Sequence, residues 1–173
     1  MGMKTMMMIS MFVAMAAEPV TFLGRGYKLG HTELKPNPMY EYVSGAETVQ
    51  NWTTLLTLID RADAKSLGDL DRLAQGVMDT YKARGGKMVM AKTLKDGAGK
   101  PLNYMIVAFD EPGKKRYELS FVKAAMGAKN AYIAVYGVRV SDDRDYVAKA
   151  KKFLSEHSGE IGMAMEKVAG PGK

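Results

Sequence analysis

A chain of 173 residues with 47% hydrophobic residues suits one domain with a sizeable core, and a 25% charged content excludes wholesale disorder. Its net charge of +6 is a mild excess that is compatible with anionic surfaces without being diagnostic of them. There is no cysteine, which removes disulfide staples, thiolate metal ligands and the residue that a bacterial lipoprotein carries at its cleavage site.

The first residues read as a secretory signal. Lys4 supplies the positive start, residues 6–16 form an apolar run of eleven, and Ala14-Met15-Ala16 places small residues where a signal peptidase reads them. The run is shorter than the ~20 residues needed to span a bilayer. Residues 1–16 are therefore expected to be a signal peptide and 17–173 a single domain, periplasmic or secreted, with no transmembrane segment in the mature chain. Losing Lys4 lowers the net charge to +5, and seven of the fifteen methionines leave with the signal, so no methionine-rich copper cluster survives.

The following stretch, "EPVTFLGRGYKLGHTELKPNP", is rich in Gly and Pro and predicts short strands and turns. "MYEYVS" at 39–44 alternates like a strand. "SGAETVQN" is a turn, and "WTTLLTLI" at 52–59 is a β-branched, apolar strand. Ser66, with Asp69 three residues on, predicts a capped helix. Leu67, Leu70, Ala74, Val77, Met78 and Tyr81 share its apolar face, and Gly85-Gly86 ends it. Four strands then follow at about 87–95, 101–110, 116–126 and 130–140. Their hairpin-length connections predict an antiparallel meander, extended by the strand with Trp52. Ser141, Asp142 and Asp143 are expected to open a last helix. Its apolar face is Tyr146, Val147, Ala150, Phe153 and Leu154, with Gly159 as a candidate break and Ile161, Met165 and Val168 beyond it. Helices flanking one antiparallel sheet make an α+β domain.

Within "YEYVSGAETVQNWTTLLTLI", the residues Tyr40, Glu41, Tyr42, Glu47, Asn51, Trp52 and Thr53 form a strand, a turn with Glu and an "NWT" opening. This resembles a pattern in uncharacterised secreted proteins of Gram-negative bacteria. The element order resembles the PsbP-like fold, an αβα sandwich used by non-catalytic accessory proteins. The resemblance implies a fold and an exported location. It carries over no catalytic residue, and fold alone does not give function.

Two histidines, His31 and His157, exclude a three-histidine zinc site. His31 and Glu33 could share a strand face as two ligands, but a turn histidine is the expected role, and no metal or cofactor is expected. His157 is expected near the apolar face of the last helix. A Gly-x-Ser-x-Gly elbow is absent, "GRGYKLG" mis-spaces a dinucleotide fingerprint, and "SDDRD" lacks the glycine and distal glutamate of a calcium loop.

In a meander successive hairpins lie at alternate ends, so Lys95, Lys100 and Lys129 gather at one end and Lys114, Lys115 and Arg116 at the other. Charge divided in this way, in an exported chain, argues against nucleic acid. Tyr132 and Tyr136 share a strand face, with Tyr104 and Tyr117 on neighbouring strands. Tyr104, Tyr132 and Tyr136, with Lys114, Lys115 and Arg116, are the candidate ligand or partner contacts, against a structural role at the sheet–helix interface or as solvated hairpin tips. Trp52 is expected to be a core anchor rather than a binding platform.

The expected function is an exported non-catalytic module that binds a protein partner, an envelope component or a small ligand. Two alternatives remain open: a small carboxylate- or metal-dependent hydrolase using Glu33, Glu41 or Glu118 with His31, and a structural or stress factor that binds anionic envelope polymers.

Overall fold

A computed structural model describes residues 18–142 and 144–171. The expected signal segment, residues 1–16, and Asp143 lie outside the described residues.

The alternating and β-branched segments form β1 (Val20–Phe22), β2 (Arg25–Glu33), β3 (Met39–Ser44), β4 (Thr54–Arg61), β5 (Lys87–Lys95), β6 (Pro101–Glu111), β7 (Arg116–Met126) and β8 (Ala131–Ser141). Helix α1 (Leu67–Ala83) separates β4 from β5, and α2 (Tyr146–Lys167) follows β8. Among the described residues the strands make one antiparallel sheet in the order β1-β2-β3-β4-β8-β7-β6-β5. The expected meander is β5 to β8, and β4 extends it by pairing with β8, so the chain is α+β.

The two helices lie on opposite faces, which is why β7 and β8 are buried on both sides rather than alternating. In β8, Tyr132, Ala134, Tyr136, Val138 and Val140 pack into the core beneath α2 together with Ala150, Ile161 and Met165. The intervening Ala131 and Ile133 pack with Leu70, Leu73 and Ala74 of α1. A third, smaller cluster contains Val43, Trp52 and Leu55, packed against Val49.

Eight strands at ~4.8 Å spacing make a sheet much wider than the ~10 Å of one helix. α1 lies over β5, β6 and β7. The strip of β8 and β4 beside it is left without a helix, and this strip becomes the site described below.

Several local expectations are corrected. Trp52 is not in a strand: β4 begins at Thr54, and Trp52 sits in the preceding loop. Leu67 is 54% exposed, because the first turn of α1 overhangs before the helix reaches the sheet, and Leu73 joins the buried face instead. Ser141 ends β8 and does not open α2. Asp142 shapes the turn by accepting from the backbone N–H of Arg144 at 2.8 Å, and Asp145 is the N-cap, accepting from the N–H of Ala148. α2 runs unbroken through Gly159, since the ~1 kcal/mol propensity cost of one glycine is small beside the packing of a helix anchored at Ala150, Ile161 and Met165. His157 is exposed, its ring 4.7 Å from that of Phe153.

Candidate functional site

Helix α1 is placed by its own N-terminus. The Ser66 hydroxyl accepts from the Asp69 N–H at 3.1 Å, and Asp69 Oδ2 accepts in return from the backbone N–H groups of Lys65 and Ser66, each at 2.9 Å. This capping box satisfies donors that the first helical turn leaves open. Those contacts, led by the Lys65 N–H, hold the Asp69 carboxyl well below its usual range, at about 2. Arg72, one turn on, pairs with Asp69. Just upstream, Arg61 grips Asp63 in a fork, with Nε donating to Oδ1 at 2.9 Å and Nη2 to Oδ2 at 2.7 Å. That hydrogen bond lowers the Asp63 pKa.

Between these pairs and the far end of α1 runs a groove of about 540 Å³. Its floor is apolar: Ile59 from β4, with Ile133 and Val135 from β8. Leu73, Gly76, Val77 and Thr80 form the helix wall. Gly76 is exposed, and a Cβ built on it would meet no atom within 4 Å. The Thr80 hydroxyl turns back to donate to the Gly76 carbonyl at 2.8 Å.

The other end of the groove holds Tyr81 and Arg84. Tyr81 packs on Phe109 with ring centroids 5.6 Å apart, and burial pushes its hydroxyl pKa up, so the phenol stays protonated at neutral pH. Arg84 is the C-cap of α1, and its guanidinium lies 5.7 Å from the Phe109 ring centroid. Among the described residues Arg84 makes no ion pair, unlike Arg61 and Arg72. The groove therefore pairs a dry floor with one uncommitted cation.

The sequence-derived candidates lie elsewhere. Tyr104, Tyr132 and Tyr136 are all buried in one core cluster, Tyr104 and Tyr132 against α2 and the residues that follow it, and Tyr136 against β1 and β2. β7 separates β6 from β8, so Tyr104 is two strands away from the other pair rather than on a neighbouring one. The Tyr132 hydroxyl donates to the Val168 carbonyl at 2.8 Å. Tyr136 lies edge-on to Tyr27, with centroids 6.5 Å apart, and 4.7 Å from Phe22. The three tyrosines thus contact other parts of the same chain.

Lys114, Lys115 and Arg116 do share one hairpin tip, between β6 and β7. There Glu111 binds Lys114 at 2.9 Å and pairs with Arg116, and these bonds, Arg116 first, hold its carboxyl at about 2. Lys114 and Arg116 thereby share the single negative charge of Glu111, and among the described residues Lys115 projects without an ion pair.

His31 stands opposite Glu41 across β2 and β3. Glu118 lies on β7, three strands from Glu41 and hence ~14 Å away at normal strand spacing. Glu118 is paired with Arg139 at 3.3 Å. Of the carboxylates considered for a hydrolase, Glu41 stands opposite His31 and Glu33 lies two residues along the same strand, while Glu118 is remote and committed to Arg139. No group of three or more metal-ligating side chains occurs among the described residues.

The residues of the "NWT" segment act on each other. Glu47 accepts from the Thr53 backbone N–H at 3.0 Å and from its hydroxyl, closing the loop that carries Trp52. Trp52 is 8% exposed, in keeping with an anchor.

Sequence reasoning did not single out Arg61, Arg72, Gly76 or Arg84. The available signal was Gly76, a helix-weakening residue at the centre of a well-capped helix. A second hollow, of about 340 Å³, lies between β1 and the end of α2, lined by Phe22, Tyr42, Leu58 and Ala164.

No protein-family model matches this chain, and no curated protein matches it.

Proposed function

We propose that the chain is an exported, non-catalytic module of PsbP-like architecture that binds a small ligand or envelope component in the groove beside α1. The observation that carries this reading is the groove itself, with its apolar floor of Ile59, Ile133 and Val135 left open beside α1. Sites for small molecules are characteristically concave and mostly apolar, with a few polar groups that fix orientation.

Binding is favoured over acid–base chemistry by the state of the acids at the rim. Asp63 and Asp69 are committed to Arg61 and to the α1 cap, and both are held below the usual carboxylate range. A base that poor takes a proton weakly near neutral pH. Export is supported by the charged start, apolar run and small-residue exit of residues 4–16. Helices on both faces of one antiparallel sheet support the PsbP-like likeness.

The test uses immobilised protein and its Gly76→Leu variant, each exposed to envelope extract, with bound material identified by mass spectrometry. The leucine side chain would project into the groove. Material held by the wild type and released from Gly76→Leu supports the reading, and identical retention by both refutes it.

A further inference from the structure

We infer that the groove takes a single unbranched apolar chain bearing one anionic head, a carboxylate or a phosphate, with the head at Arg84 and the chain along Ile133, Val135 and Ile59. This inference rests on the proposed binding role of the groove and names its ligand class.

The dimensions come first. The groove extends from Asp69 to Arg84, fifteen helical residues, or ~22 Å at the α-helical rise. A volume of about 540 Å³ spread over that length makes the groove elongated rather than round. The groove thus has the long, slender shape that one extended hydrocarbon chain fills.

Charge then sets the polarity. At the Asp69 end, both guanidinium groups are already paired, Arg61 with Asp63 and Arg72 with Asp69. At the other end Arg84 has no carboxylate partner among the described residues. An anionic head at that end forms a charge-assisted contact without displacing an existing ion pair. Tyr81 lines the same end, with its hydroxyl directed to Ser120 of β7.

Gly76 is the third observation. Glycine inside a helix is less favourable than alanine by about 1 kcal/mol, and nothing in the protein packs within 4 Å of where its Cβ would stand. No internal contact requires glycine here. Its effect is to keep the middle of the groove clear, where any side chain would meet a bound alkyl chain.

The test is a titration of the purified protein with 11-(dansylamino)undecanoate, followed by displacement with dodecanoate, dodecyl phosphate, dodecanol and butyrate. Saturable probe binding is expected, displaced by both twelve-carbon anions, at least about tenfold less well by dodecanol and not by butyrate. Dodecanoate against dodecyl phosphate identifies the preferred head. Gly76→Leu should abolish probe binding, and Gly76→Ala should weaken it while raising the melting temperature. Arg84→Gln should bring dodecanoate and dodecanol to equal affinity.

Absence of saturable binding, or binding unaffected by Gly76→Leu in a variant that melts like the wild type, overturns the inference. If the probe fails while envelope material is still lost from Gly76→Leu, the groove remains a binding site and only the ligand class is wrong.

Discussion

The indole of Trp52 lies directly on Gly137: a Cβ added to that glycine would stand 3.0 Å from the Trp52 Cη2 atom. The loop residue and the mid-strand glycine are 85 positions apart, and each explains the other. Glycine inside a central strand marks a close approach, and here the approaching group is the ring. Arg139, two residues further along β8, stacks its guanidinium 3.7 Å from the Trp52 ring centroid and pairs with Glu118. Trp52 is thereby fixed in a small core of its own, with Val43, Val49 and Leu55.

Trp52→Ala should therefore destabilise the protein. Large aromatic truncations in cores cost about 3–5 kcal/mol, and the small size of this cluster places the expectation near the lower figure. Thermal unfolding measures it. The wild-type emission, from the only indole in the chain, should be blue-shifted and resist iodide. Red-shifted, readily quenched emission with an unchanged melting temperature in Trp52→Ala would refute the anchoring role.

Gly137→Ala tests the same contact from the other side. The methyl group must displace the indole, and overpacking of this kind costs about 1–3 kcal/mol. In a Trp52→Ala background the methyl group has room, so the second substitution should cost far less. A double-mutant cycle by denaturant unfolding reads this coupling. Additive effects would show that the ring and the strand do not constrain each other.

Acid should weaken the fold through Asp69 and Glu111. Both carboxyls sit at about 2, against ordinary values of 3.8 and 4.5. A folded pKa below the unfolded one gives stability that is present above the unfolded value and lost as the pH falls toward the folded value. The melting temperature should thus drop between about pH 4.5 and pH 2. The Asp69→Asn, Glu111→Gln double variant should start lower at neutral pH and show a smaller drop. Both side chains lie at the surface, about a quarter exposed, so added salt should reduce the difference.

Tyr104→Phe should leave the protein as stable or more so. The Tyr104 hydroxyl is buried and has no hydrogen-bond partner among the described residues. A Cβ on Gly162 of α2 would stand 3.5 Å from it, which shows how closely the helix covers the ring. An unsatisfied buried hydroxyl costs about 1–3 kcal/mol, so its removal should raise the melting temperature. A clear fall would show that the hydroxyl is satisfied in solution.

Local order along the chain was legible because local chemistry sets it. The serine–aspartate spacing at 66 and 69 produced the capping box, and the hairpin-length connections after 95, 110 and 126 produced the meander. The strongest runs, in β7 and β8, are apolar on both faces, and that pattern already required cover on both sides of the sheet. Features that depend on distant partners were not legible. Lys123, only 3% exposed, sits among apolar neighbours of β7 and donates to the Glu166 and Val168 carbonyls at the end of α2, each at 2.8 Å. Nothing near position 123 announces that role, because the carbonyls it caps lie more than forty residues away.

The amino-acid sequence by itself determined the class of the fold, α+β, and the order of its elements, since periodicity and turn chemistry act over a few residues. Tertiary structure alone decided where α1 lies across a sheet wider than one helix. That placement left Ile59, Ile133 and Val135 open beside Gly76 and joined Arg61, Arg72 and Arg84 to one groove. Packing of a helix on a sheet depends on the summed shape of both surfaces, and no short stretch of sequence carries that sum.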